Sequence, residues 1–365
     1  MKKILIIGNS LSAWSVASAF TNKKVNITII GNKNNTFGAQ QLSPNGFEAL
    51  KKLIQNGDVK NIVYQIIKFQ INSYNNNNET RNLKNFYFNE FDLKYFSVSR
   101  EMLINFLIKN VKNNIQINEI NKSCVGIIQR ESGKLEVLMD NKEFISADII
   151  IGCDGVNGIT RKYVCGTTNI VKKQVFRGTS NDRKQILLKQ KTLELSFSNY
   201  GHFISYPFIN NNKTCINYVF IPNKLFQNSN EILDKLKNIS KFSPIDWNEG
   251  HYYFYEDEIQ TIHKNNVLLF GDAGFSFEPH LAQVGNNIIE DANYLKFLVE
   301  NTNSYDEIFE NFCRDTFKKK SELKSISNIV GISFGMNSFT KIRDSLVSNF
   351  SDKLMSDFLK KVWYD

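Results

Sequence analysis

Four apolar residues stopped by a glycine, Ile4-Leu5-Ile6-Ile7 and Gly8, constrain this chain more than any other stretch. A run with no polar alternation suits a strand buried on both faces, and such strands belong to parallel sheets flanked by helices. The residues that follow complete the unit. Gly8 to Ala13 is a small-residue turn, Trp14 to Phe20 has helical apolar spacing, and Val25 to Ile30 is a second strand. This βαβ opening predicts an α/β fold. The pattern returns twice. Phe144 to Gly155 reads as a buried strand ending in Asp154-Gly155, and Val267-Leu268-Leu269-Phe270 as another ending in Gly271-Asp272, with a helix from Ile288 to Val299 behind it.

Between these landmarks, the Ser43-Pro44-Asn45-Gly46 turn feeds a helix reaching about Ile54. Ile62 to Phe96 is strand-like around an exposed tip at Asn75 to Asn78, and Ser97-Val98-Ser99-Arg100 opens a helix from Glu101 to Val111 with Ser99 as its cap. Ile115 to Ile120, Ser123 to Arg130 and Leu135 to Asp140 read as one meander. From Ile170 to Asn265 the strands alternate and carry many aromatics, clearest at Leu193 to Phe197, His202 to Phe208 and Thr214 to Ile221. With a short helix at Glu231 to Ile239, they predict an antiparallel sheet covering the opening domain. Its aromatics are expected mostly to pack rather than to line a pocket. Tyr305 to Val330 is a long basic helix and Phe339 to Asp365 a final helical segment.

Composition narrows the function. At 365 residues and 42% hydrophobic the chain is long enough for two domains sharing an interface. Its five cysteines are scattered with no CxxC pair, which indicates neither a disulfide framework nor a zinc site and suits a reducing cytoplasm. The four histidines are dispersed and no GxSxG elbow occurs, so hydrolase and metal chemistry are poorly supported. A net charge of +9 favours anionic ligands, but no element interleaves clustered cations with aromatics as nucleic-acid binding requires. No window approaches the roughly 20 apolar residues of a membrane span, so the chain is expected to be soluble or at most peripheral at a membrane. What remains is chemistry carried by a cofactor.

Several residues could serve one. The turn Gly8-Asn9-Ser10-Leu11-Ser12-Ala13 stands where a dinucleotide-binding GxGxxG would, with Ser10 and Ala13 in the second and third glycine places. Arg100, a cation on a first helical turn, opposes the helix dipole; it points to an outside anionic partner or to a surface ion pair. Asp272, leaving a strand, can take the hydroxyls of a sugar-like chain, and the amides from Gln283 to Asn287 can hold developing negative charge. The same stretch could equally be an ordinary crossover with Asp272 as a turn residue. Asp154 by chemistry alone is a turn residue.

Taken in order, the βαβ start, Ala39-Gln40-Gln41-Leu42-Ser43-Pro44-Asn45, Ser99-Arg100, Asp154-Gly155 with Arg161, and Gly271-Asp272 through Pro279, Gln283 and Glu290-Asp291-Ala292 resemble the single-component FAD-dependent aromatic hydroxylases. The similarity is greatest to the salicylate hydroxylase-like branch, with Arg177-Gly178, Tyr206-Pro207, Asn217 and the closing Trp363-Tyr364-Asp365 in matching places. The resemblance implies a Rossmann-like FAD-binding domain from residues 1–60, 97–168 and 264–330. It implies an antiparallel-sheet substrate domain of α+β type from 61–96 and 169–263, and a helical segment at 331–365. The implied reaction uses NAD(P)H and dioxygen, through a flavin hydroperoxide, to hydroxylate a small phenolic or salicylate-like ring in the cytoplasm, the enzyme being a monomer or homodimer. A ubiquinone-precursor ring hydroxylase working at a membrane surface, or a flavin-fold binding protein without turnover, are the alternatives.

By residue, the resemblance implies that Gly8, Ser10 and Ala13 face the pyrophosphate, Arg100 the FAD chain, Asp154 the region near the first turn, and Asp272 the ribityl hydroxyls. Pro279 would lie by the isoalloxazine, and the amides of Gly285, Asn286 and Asn287 would face its pyrimidine edge. His280 and Gln283 would border the substrate cavity, and Arg161 would serve both FAD and the nicotinamide nucleotide. The chain departs from the family pattern at the glycine turn, at Gly31 where an acid is usual, at Phe275 where His is usual, and at Val284 where Gly is usual. Weak or redox-dependent FAD binding, or a family member without hydroxylase activity, is what these departures point to, and restoring an acid with Gly31→Glu is expected to tighten FAD binding.

Overall fold

The computed structural model describes residues 1–33, 36–54, 58–74, 79–180, 186–223, 231–234, 245, 247–256, 259–334 and 340–364. Its centre is the parallel sheet that the apolar runs predict. Strands β1 (Lys2–Ile7), β2 (Val25–Ile30), β8 (Ile117–Ile120), β12 (Ile149–Gly152) and β19 (Val267–Leu269) run parallel, with the short β18 (His263–Lys264) antiparallel on one edge. Ile4 to Ile7, Ile149 to Ile151 and Val267 to Leu269 are all buried, as continuous apolar strands between two layers must be.

Helix α1 (Leu11–Ala19) begins three residues earlier than its spacing predicts and is buried from Ser12 onward. Its Ser and Ala residues let it sit close beneath α3 (Arg100–Asn114) and α6 (Val284–Asn301). In α3, Leu103, Leu107, Asn110 and Val111 form the buried stripe, and Ser99 accepts a hydrogen bond from the Met102 amide (3.4 Å) as the expected cap. Ser43 caps α2 (Pro44–Leu53), so Ser-Pro-Asn-Gly is the helix's own first turn, with proline at the position where its missing N–H is harmless. Helix α4 (Ile159–Cys165) follows the Asp154-Gly155 turn.

Two sequence expectations change. The Ile115 to Ile120 segment leaves the predicted meander and adds to the parallel sheet as β8. Phe144 to Gly155 is two strands in different sheets: β11 (Phe144–Ala147) pairs with β10 (Leu135–Met139) and β9 (Cys124–Gln129), and only β12 is central. The kink falls at Asp148, whose carboxylate accepts from the Lys3 amide (2.7 Å). Apolarity alone does not show that the chain changes sheet there.

The second layer is a seven-stranded sheet ordered β17 (Asn248–Tyr255), β13 (Ile170–Ser180), β16 (Lys213–Pro222), β15 (Gly201–Asn210), β14 (Thr192–Phe197), β5 (Lys68–Tyr74) and β6 (Thr80–Tyr87). It is antiparallel except where β14 runs parallel to β5, a pair that a wholly antiparallel reading misses. Its period of two sorts the aromatics. Phe203, Tyr218 and Phe220 pack with Phe176 and Leu187 of α5 (Ile186–Gln190) on one face, and Ile204, Tyr206, Asn217 and Val219 point to the other. A small sheet of β3 (Ala39–Leu42), β7 (Tyr95–Ser99) and β4 (Val63–Ile66) joins the two layers. Helix α7 (Tyr305–Phe334) then spans the molecule, and the expected final segment is two helices, α8 (Thr340–Asn349) and α9 (Asp352–Tyr364). The tip expected at Asn75 to Asn78, and residues 235–239 of the helix expected at Glu231 to Ile239, lie outside the described residues. Among the described residues no helix is long and apolar enough to cross a membrane.

Candidate active site

Three helix starts converge on one cavity of about 350 Å³. α1 presents Ser10 and Leu11, α3 presents Arg100, and α6 presents Val284 and Gly285. The first amides of a helix have no partner within it and lie at the positive end of its dipole, so this cavity is built to receive negative charge. Ser10 caps α1 with extended backbone and makes no side-chain capping bond. At α6 the Asn287 amide already donates to the Gln283 carbonyl (2.8 Å). The amides ahead of that first bond are therefore those of Val284, Gly285 and Asn286, one residue earlier than the expected Gly285 to Asn287.

Two guanidiniums reinforce the helix ends. Arg100 and Arg177 both line the cavity, and among the described residues the Nε of each has no hydrogen-bond partner. Burial and the nearby Arg100 pull the Arg177 pKa down to about 10. Among the described residues Asp272 is the only acid in the lining. Burial pushes its carboxyl up to about 6, against the opposing pull of Lys320 and Arg100. The far wall is the seven-stranded sheet, where Tyr206 stands opposite Asn217 and Ile204 opposite Val219. Tyr206 donates to the Ala39 carbonyl and Asn217 Oδ1 accepts from the Ala39 amide, each at 3.0 Å, so one residue of β3 is clamped from both sides.

Of the residues predicted from sequence, Ser10, Arg100, Asp272, Pro279 and Gly285 line this cavity. Others stand behind it. Ala13 is fully buried in α1, where close packing is its role. A side chain at Gly8 (φ +112°) would put its Cβ 2.3 Å from the Cys153 carbonyl oxygen, so this glycine is demanded by the approach of β1 to β12. Asp154 lies beside that turn but spends its carboxylate on α4, accepting from the Thr160 amide (3.0 Å) and from the Thr160 hydroxyl. Arg161 is buried with its guanidinium 3.5 Å from the Tyr255 ring, and its Nη1 donates to the Ala273 carbonyl (2.7 Å). It braces the loop that carries Asp272.

Gln283 is fully buried as well. Its Nε2 donates to Ser43 Oγ (3.0 Å) and its Oε1 accepts from Asn45 (3.1 Å). Asn286 accepts from the Ser43 amide (3.1 Å) and donates to the Ala282 carbonyl (2.9 Å). The Ser-Pro-Asn turn thus fixes the start of α6. Asn287 is buried in the same helix.

Sequence reasoning missed three contributors. Asn9 lines the cavity, donates to the Gly31 carbonyl (3.3 Å) and accepts from Trp14 Nε1 (2.8 Å), tying the first turn to the end of β2. It sat inside a motif read only for its glycines. Tyr252 lines the same cavity and donates to Glu278 (3.1 Å), which also accepts from Lys173 (2.7 Å) and meets His280 Nε2 at 3.0 Å. Burial alone would raise the Glu278 pKa, but His280 and Lys173 draw it down to about 2. The adjacent Pro279 was the only local signal. His280 itself opens on a second cavity of about 490 Å³, which shares Gln41, Ile204 and Ala282 with the first.

One expectation is overturned. A Cβ on Gly31 would lie 2.9 Å from the Asn9 amide and 3.0 Å from the Gly8 carbonyl carbon, so an acid there has no room. Gly31→Glu is therefore expected to lose about 2–4 kcal/mol of stability, read as a lower urea midpoint, with no gain in FAD affinity.

Solved structures share the whole architecture. Klebsiella pneumoniae HpxO, complexed with FAD and uric acid, superposes with a TM-score of 0.85 at 15% identity, covering 99% of this chain and 96% of that one. A salicylate hydroxylase substrate complex gives 0.73 at 14% identity over 99% and 98%. The 2,6-dihydroxypyridine-3-hydroxylase of Arthrobacter nicotinovorans gives 0.73 at 13% over 90% and 93%. No family model matches the sequence, and no curated protein matches it either. The chain has the fold of the FAD-dependent aromatic hydroxylases. At these identities the likeness is one of fold, so its chemistry is argued from the site.

Proposed function

We propose that this protein is an FAD-dependent monooxygenase that uses NAD(P)H and dioxygen to hydroxylate a small aromatic ring. The observation that carries the reading is the convergence, among the described residues, of three helix starts, two guanidiniums and one half-buried acid on a single cavity beneath a sheet. FAD needs all three kinds of group. The α1 start and Arg100, whose Nε has no hydrogen-bond partner among the described residues, would hold its pyrophosphate. Its ribityl hydroxyls are donors for Asp272, and its pyrimidine edge takes negative charge that the Val284 to Asn286 amides stabilise. FAD held there would supply the redox chemistry, hydride acceptance and oxygen activation, that the side chains of this protein lack.

The chain's own contribution is orientation and exclusion of water. Ile204, Tyr206 and Val219 give the substrate a largely apolar wall with a phenol edge, and Arg177 places a cation at its margin for an anionic or electron-rich ring. Pro279 borders the same space, and Glu278 holds Tyr252, which lines it, together with His280, which lines the neighbouring cavity. This reading retains the division into a discontinuous cofactor domain and a sheet domain with boundaries near residues 60, 97, 169 and 264.

The test is direct. Protein incubated with excess FAD and desalted is expected to be yellow, with a flavin band, and to consume NAD(P)H faster when a phenolic or hydroxylated heteroaromatic acid is added. A protein that stays colourless refutes the proposal; one that binds FAD but never couples NAD(P)H oxidation to a ring is the binding protein without turnover.

A further inference from the structure

The buried stripe of α7 contains a lysine. Phe309, Phe312, Thr316 and Leu323 turn toward the core at helical spacing, and Lys320 stands among them at 5% exposure. A buried ammonium is costly unless it is paired, and this one donates from Nζ to Asp291 of α6, itself buried. Two well-packed apolar side chains commonly hold two helices as firmly as a buried ion pair does. Fastening α7 to α6 therefore does not by itself require charge at this position.

The ammonium has a second neighbour. It stands 5.3 Å from the centroid of the Phe275 ring, within the range of a cation–π contact. Phe275 closes the turn that carries Asp272, its amide donating to the Gly271 carbonyl (2.8 Å), so the ring and the Asp272 carboxyl belong to one tight loop. Among the described residues two cations act on that carboxyl, Lys320 more strongly than Arg100, both against the effect of burial. They come from different sides. Arg100 of α3 lines the cofactor cavity with Asp272, whereas Lys320 lines a separate space of about 440 Å³ between α2, α6 and α7. The other charges around Lys320 are Asp291, Glu290 and Lys319, and Glu290 is matched by Lys319 at 3.6 Å. Lys320 is thus shared between Asp291 and Asp272.

We propose that Lys320 is a positioning residue for cofactor binding: its ammonium, anchored by Asp291 and lying over Phe275, supplies from outside the cavity the positive charge that keeps the Asp272 carboxylate ready to accept hydroxyls. Lys320 touches no ligand and acts through Asp272. The proposal rests on the reading of Asp272 as the acceptor for the hydroxylated chain of FAD. It gives the long helix α7 a part in holding a cofactor that it does not meet.

Because Lys320 is shared, two variants of the full-length protein are expected to act in opposite directions. Lys320→Met with Asp291→Asn removes the ammonium without stranding a buried charge, and the pH at which FAD affinity rises is expected to move up by about one unit. Asp291→Asn alone leaves the whole ammonium to Asp272, and that pH is expected to fall by about half a unit. Lys320→Arg is expected to stay near the unsubstituted protein. The same shifts are read without flavin from aspartate labelled with carbon-13 at the side-chain carboxyl, the Asp272 signal being the one absent from Asp272→Asn. A purely structural pair would lower the urea midpoint of both variants while the pH midpoint stays put or moves the same way in each, and either result overturns the proposal. Should Asp291→Asn fail to fold, the double variant and Lys320→Arg decide it, the first shifted and the second not. If no variant binds FAD, the flavin reading falls while the carboxyl titration still judges Lys320; if FAD binds and the titration does not move, only the role of Lys320 falls.

Discussion

Asp272→Asn protein is expected to bind FAD about 10–100-fold more weakly than the parent, and without the parent's pH dependence. The carboxylate is the one acid lining the cavity among the described residues, and burial pushes its pKa up to about 6 in the flavin-free protein. Ribityl hydroxyls donate best to the ionised form. FAD affinity of the parent should therefore climb as pH rises through about 6, and that of the variant should not. Stability runs the other way. An acid whose folded pKa is raised favours the protonated folded state, so its contribution is present at low pH and is lost as pH rises from its unfolded value of about 4 through 6. Flavin-free Asp272→Asn should thus lose less stability than the parent between pH 4 and 6, by on the order of 2 kcal/mol in urea unfolding. Equal FAD affinity in both proteins at pH 7.5 refutes the assignment of Asp272.

Gly8→Ala is expected to be the most damaging single-methyl change in the parallel-sheet layer. The added Cβ would meet a backbone carbonyl at 2.3 Å, and the φ of +112° is hostile to any L side chain. Neither strand can retreat, because β1 and β12 are the centre of the parallel sheet. Strain and overpacking together are expected to cost about 3–5 kcal/mol and to collapse soluble yield. Gly133→Ala is the control, since its φ of +80° carries the same kind of strain with nothing within 4 Å. A melting temperature for Gly8→Ala within about 2 °C of the parent contradicts the packing described here.

Strands β1, β12 and β19 of the parallel sheet were legible because they are continuous apolar runs, whereas β8, Ile-Asn-Glu-Ile, is not one and reads as part of a meander. The Ser43-Pro44-Asn45 turn and the start of α6 were visible only as separate signals. Their joining through the side chains of Ser43, Asn45, Gln283 and Asn286 depends on contacts some 240 residues apart, which local pattern does not encode. The same limit moved Gln283 from the substrate cavity into the buried framework. Arg161 and Asp154 carried the right residue types, but charge in a sequence does not say whether a group faces a ligand or a neighbouring loop. Arg343 had no signal at all: set between Lys341 and Asp344 on a short terminal helix it looks like surface, yet it is buried.

Gln41, Ile204 and Ala282 stand in the walls of both cavities, so neither space can be reshaped at these three positions without reshaping the other, whereas Phe69, Leu193 and Val347 line the second alone. A lineage can therefore change the volume on the C-terminal side at Phe69, Leu193 or Val347 while every residue that lines the space around Asp272 stays as it is.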